Sequence, residues 1–232
     1  MAGENLALVR GIDDTRATLA RWNREPWPPL RGWLLGALAI TVALLVAVGV
    51  IASVTTPDDT PILLPGLNAP GDLGSVLEVL RRNALVLALH GFACVAGFIA
   101  GSSMPLEAER YSGLVKKVHD AAGPLAIAFV GAATAFSLIT QAYVLGGAAS
   151  TLAGEGGMHP VLLLVGLLPH ALPELVALFL PLAAWMLASR RGTWHQLLAA
   201  TIATCTLAVP VLVIAAFVEV YVSPDVILVL RG

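Results

Sequence analysis

A chain of 232 residues that is 58% hydrophobic and only 12% charged is unlike a soluble domain, in which about a quarter of residues carry charge. A formal net charge of −2 offers no broad basic face, so no nucleic-acid partner is expected. Cys94 and Cys205 both fall inside apolar runs and read as small buried residues, not as a disulfide framework.

Residues 1–32 are polar. Arg10, Arg16, Arg21, Arg24 and Arg31 stand among acids with no early apolar core, so no cleavable signal peptide is expected. Leu6, Val9, Leu19 and Trp22 share one helix face suited to a membrane surface. Trp22, Trp27 and Trp33 cluster before the first apolar run, as interfacial aromatics do.

Five apolar segments follow, at 33–54, 83–104, 123–147, 160–188 and 196–221. Each is long enough to cross roughly 30 Å of hydrocarbon as a helix. The expected fold is all-α: a polytopic membrane helix bundle with five transmembrane helices. Residues 1–32 form a cytoplasmic amphipathic segment on this reading, and 33–232 the transmembrane domain. Lys and Arg set the orientation. The five N-terminal arginines, Arg110, Lys116, Lys117, Arg190 and Arg191 fall on one side; only Arg81, Arg82 and Arg231 fall on the other. The N-terminus is therefore expected inside and the C-terminus outside.

The first outer loop opens with a turn-rich stretch at 56–66. Residues 72–82 then read as a short outer amphipathic helix with Leu73, Val76, Leu77 and Leu80 on one face. Residues 146–157 are glycine-rich and read as a flexible outer segment. Residues 105–120 read as a charged, solvated inner loop. Gly97 and Gly101, four apart, permit close approach of a neighbour within the bundle.

Polar groups inside the spans carry the functional signal. An ionisable side chain in hydrocarbon is costly and marks a candidate site. His90, His170, Glu174 and Glu219 are such residues, with Asn83 and Gln141 as neutral companions. His170 and Glu174 share a helix face at i and i+4. Pro169, Pro173 and Pro181 on the same span are expected to disturb its helix. Counting about 1.5 Å per residue from each span's start places His90 and His170 at comparable depth. It sets Glu174 deeper and leaves Glu219 near the outer face. Three readings stay open: a metal site, a proton or substrate pathway, and polar groups that fasten helices together.

The run from Leu168 to Ala177, Leu-Pro-His-Ala-Leu-Pro-Glu-Leu-Val-Ala, resembles the signature of the stage II sporulation protein M family, a proline followed by His-Gly-x-x-Glu. The run from Ala215 to Pro224, Ala-Ala-Phe-Val-Glu-Val-Tyr-Val-Ser-Pro, resembles that family's closing segment. Asn83 looks like the Asn that begins the matching family segment, so the resemblance covers about 83–224. Ala171 stands where the family has glycine, Pro173 precedes Glu174, and Gln141 stands where an Asn-Gly pair is expected. The resemblance implies a multi-span membrane protein that anchors or scaffolds peptidoglycan-degrading partners. It carries over Asn83, His170, Glu174 and Glu219 as motif residues.

The expected role is an integral scaffold or complex subunit of the bacterial inner membrane, in cell-envelope remodelling. A transporter with an intramembrane His/Glu pathway and an intramembrane metal-dependent hydrolase are the alternatives. No cofactor or metal is expected, and no residue is assigned a catalytic role. The expected partners are the lipid bilayer, other membrane or envelope proteins, and a second copy of the chain.

Overall fold

The computed structural model describes residues 6–104 and 112–231. The described residues form seven α-helices and no strand: α1 (Leu6–Arg24), α2 (Trp27–Val54), α3 (Leu73–Phe98), α4 (Gly113–Gly156), α5 (Pro160–Arg191), α6 (Leu197–Tyr221) and α7 (Ser223–Arg231). Five stretches of helix are long and apolar enough to span a membrane. The short helix α7 was not anticipated from the sequence. The inner loop expected at 105–120 lies outside the described residues up to 111, and α4 has begun by Gly113.

Prolines and caps set several of these boundaries. Pro26 follows α1 at a distance of two residues, and the residue before a proline disfavours helix. Pro28 and Pro29 fall in the first turn of α2, where a missing N–H leaves no helical bond unmade. Asp72 caps α3: its Oδ1 accepts from the Ser75 N–H at 2.8 Å and from the Ser75 hydroxyl at 3.0 Å. The Ser75 N–H holds the Asp72 carboxyl below its ordinary value. Gly157 takes φ +62° just past α4, the left-handed position that closes a helix.

Contacts divide the chain into two compact units. The first comprises Met1–Ala37, Leu87–Thr134 and Phe179–Leu207; the second comprises Leu38–Val86, Ala135–Leu178 and Ala208–Gly232. In the first unit, Gly97 and Gly101 admit aromatic side chains. A Cβ on Gly97 would stand 2.7 Å from the Trp185 Nε1, and one on Gly101 would meet Trp194. The close approach read from the Gly97–Gly101 spacing is thus used within the chain. Leu6 and Val9 of the expected face lie outside the described side chains; from Gly11 onward the covered residues of α1 are Gly11, Thr15 and Thr18, with Leu19 and Trp22 half-covered, and a Cβ on Gly11 would stand 2.9 Å from the Phe98 ring.

In the second unit the outer loop is tied down. Ser150 donates to the Thr55 carbonyl at 2.6 Å, and the Asp58 N–H donates to Thr151 Oγ1 at 3.0 Å. Glu155 accepts from the Ile62 N–H at 2.9 Å and from Asn68 Nδ2 at 3.4 Å. The 146–157 segment is therefore not a loop: α4 carries it to Gly156, and it serves as a post for the 55–68 loop. Its glycines and alanines form the covered side (Ala142, Gly146, Ala149, Ala153), so they reflect close packing and not slack chain.

The amphipathic segment expected at 72–82 is helical from Leu73 and runs unbroken into the second apolar run. Its covered face is Val76, Leu80, Asn83, Leu87 and His90, at helical spacing, whereas Leu73 and Leu77 are exposed. Val76 joins Ala216 and Val220 of α6 in a buried cluster flanked by Val79 and Leu80. Likewise α5 runs without a break from Pro160 to Arg191 through Pro169, Pro173 and Pro181. Each proline removes only the N–H donated to the carbonyl four residues earlier, and the remaining bonds keep the helix intact.

Candidate functional site

The second unit assembles a polar centre from three helical segments. His170 lies on the buried stripe Leu163, Gly166, His170 of α5, with Glu174 one turn further. Glu219 continues the stripe Ala208, Leu212, Ala215 of α6. One ligand-type atom from each of His170, Glu174 and Glu219 lies within 4.8 Å of the other two. Asn83 of α3 faces Glu174 and is only 6% exposed.

The histidine is fixed by a residue the sequence reading did not single out. Ser223 opens α7, is fully buried, and its Oγ lies 2.6 Å from His170 Nδ1. That bond assigns Nδ1 to Ser223 and leaves Nε2 as the ring's second polar atom. Ser223 stands four residues after Glu219, so both flank the bend at Val222 that separates α6 from α7. Its signal in the sequence was this spacing and its place in the closing Ser-Pro of the quoted run. Two other polar atoms at the centre, Asn83 Nδ2 and Glu174 Oε2, are buried without a hydrogen-bond partner.

The depth expected for these residues needs correction. Glu219 joins His170 and Glu174, because α6 and α7 do not meet α5 at its first turn. A Cβ on Gly166 would lie 2.8 Å from Ile227 of α7, so the end of α6 and the start of α7 sit alongside the second turn of α5 and beyond. Counting depth from Pro160 therefore started one or two turns too early along that helix. The other two candidates make different contacts. His90 belongs to the first unit, where its ring packs on Phe179 with centroids 5.5 Å apart. Gln141, half-buried on α4, donates to Ser137 Oγ at 3.1 Å.

The loop before α3 closes over the α6–α7 bend. Gly66 has φ +83°, and a Cβ there would clash with the Val220 carbonyl oxygen and stand 2.7 Å from Pro224 Cγ. The turn is held by the Gly66 N–H donating to the Ala69 carbonyl at 2.8 Å, and by Leu64 N–H donating to Asn68 Oδ1 at 2.6 Å. A separate cleft of about 360 Å³ in the first unit is lined by Arg21, Trp22, Glu25, Trp33, Arg191 and Gln196, among others. Its tryptophans are expected at the interface from the sequence, whereas their grouping with Arg191 comes from the fold.

Fold and centre together define a polytopic α-helical membrane protein with a buried histidine–carboxylate cluster. Residues 120–224, a little under half of the chain, match the family model described as Stage II sporulation protein M, and over this stretch the chain is similar to that family. The matched stretch contains His170, Glu174, Glu219 and Ser223; Asn83 and His90 precede it, so the resemblance read from Asn83 onward is matched only from residue 120. Neither a curated protein nor a solved structure matches the chain.

Proposed function

We propose that this protein is a scaffold or complex subunit of the bacterial inner membrane, with its N-terminus in the cytoplasm, acting in cell-envelope remodelling. The observation that carries the reading is the uncovered side of α4. Only 6% of that helix's most apolar window is buried within the chain, against 28% to 39% for the other spans. Leu125, Phe129, Phe136, Ile139 and Tyr143 are all more than two-thirds exposed, and the aromatics recur every seventh residue. In a bilayer, helices associate by close packing and not by hydrophobic exclusion. A regular aromatic ridge on a span that its own chain hardly covers suits a neighbouring helix. The family match over residues 120–224 supports the same reading through the anchoring role that the resemblance implies.

The test is a photo-reactive amino acid in place of Phe136, irradiated in native membranes. The expected product is a reproducible adduct with another envelope protein or a second copy, absent when the probe replaces the buried Ala142. Adducts with lipid alone would overturn the scaffold reading. The transporter and hydrolase alternatives draw on the polar centre and require no protein neighbour at Phe136, so the same experiment separates them.

A further inference from the structure

We propose that His170, Glu174 and Glu219 bind one divalent transition-metal ion of zinc's kind. Two carboxylates and an imidazole converge within 4.8 Å, and the charge that reaches them from α3 is that of Arg82, which acts on Glu219 while its Nε is bonded to Glu78. Paired carboxylates repel strongly at low dielectric, and a divalent cation cancels both charges at one point. Geometry agrees. Zinc bonds of about 2.1 Å imply ligand–ligand edges of about 3.4 Å in a tetrahedron. The present separations need only small turns about the flexible Glu side chains to reach that spacing.

The surroundings independently point to a ligand. Asn83, more than nine-tenths buried, faces Glu174, and the Glu174 Oε2 is buried without a hydrogen-bond partner. Buried polar atoms are nearly always satisfied; a cation satisfies the carboxylate oxygen, whereas the Asn83 Nδ2, a donor, is satisfied by a carboxylate oxygen. A metal drawn to Glu174 and Glu219 takes the orphan carboxylate oxygen and orders the acid that Asn83 can then hold. The ring is already oriented as metal-binding histidines are: one nitrogen is engaged by a second-shell oxygen, here Ser223 Oγ at 2.6 Å, and the other is left with its lone pair. With Nδ1–H donating to Ser223, Nε2 binds the ion. One nitrogen and two carboxylate oxygens suit zinc, manganese or iron, and the imidazole disfavours magnesium and calcium. Three protein ligands leave a coordination position open, the arrangement of a site that accepts water or a further oxygen ligand.

The proposal does not rest on the scaffold reading, since the centre lies away from the α4 ridge in sequence and its test needs no partner. Purified full-length protein in detergent is stripped with chelator, dialysed against zinc, manganese or calcium, and its metal content measured. The expected result is one equivalent of zinc or manganese per chain and none of calcium. Glu174→Gln and His170→Gln should each lower the bound zinc at least tenfold, whereas His159→Ala with His195→Ala, both outside the centre, should leave it unchanged. Zinc should also raise the melting temperature of the unmodified protein in a concentration-dependent way; this readout stands even if a variant fails to fold. No bound zinc or manganese in well-folded protein overturns the proposal. So does zinc that survives both centre substitutions, or calcium binding in preference to either.

Discussion

His170 is oriented by the 2.6 Å bond to Ser223. Removing the hydroxyl in Ser223→Ala leaves a buried ring nitrogen unpaired. The expected loss is about 1 kcal/mol of stability, since bonds of this kind within membranes are worth less than the full desolvation cost. Denaturant-dependent unfolding in mixed micelles would read it, and an unchanged midpoint would show that the bond contributes nothing. His170, Glu174, Glu219 and Asn83 were legible because ionisable and amide groups stand out against apolar neighbours. His90 and Gln141 stood out for the same reason, yet His90 packs on Phe179 and Gln141 bonds Ser137. Composition marks a costly residue without saying which helix its face will meet. Ser223 escaped notice for the converse reason: a serine before a proline at the end of a span is ordinary in isolation.

Among the connecting elements, the 55–71 loop makes the sharpest demand on its residues. Gly66 and Gly157 both take positive φ, but only Gly66 has atoms waiting where a Cβ would go; around Gly157 nothing lies within 4 Å. Gly157→Ala should therefore cost only the conformational term, about 1 kcal/mol. Gly66→Ala should cost clearly more, because the Val220 carbonyl and Pro224 must also shift. Thermal melts of the two variants side by side check this, and equal losses would refute the close fit described for the loop. That fit could not be read in advance, since it depends on two segments about 150 residues apart in sequence. Helix α4 shows the limit of local signals in another way. Its 44 residues span about 66 Å, roughly twice the hydrocarbon thickness. The glycines of its last turns looked like slack until the loop bonded to Ser150, Thr151 and Glu155 was visible.

At the scale of the whole molecule, five spans and an all-helical fold were plain from hydropathy, because apolar runs about 20 residues long have few other uses. The family resemblance rests on two short motifs near the fourth and fifth spans, and the family model matches over 120–224. What hydropathy could not supply was the level at which one helix meets another, and so the depth of Glu219 was misjudged. Orientation remains a matter of loop charge. A reporter domain fused after Gly232 should be active only outside the cytoplasm; activity in the cytoplasm would reverse the assignment. That fusion must respect the bend at Val222. Glu219 precedes it and Ser223 follows it, so the final helix is one wall of the polar centre and not a tail. A truncation at Val222 would keep both carboxylates while removing the group that aims the histidine. The last ten residues thus set the geometry of a site whose charged members all lie upstream.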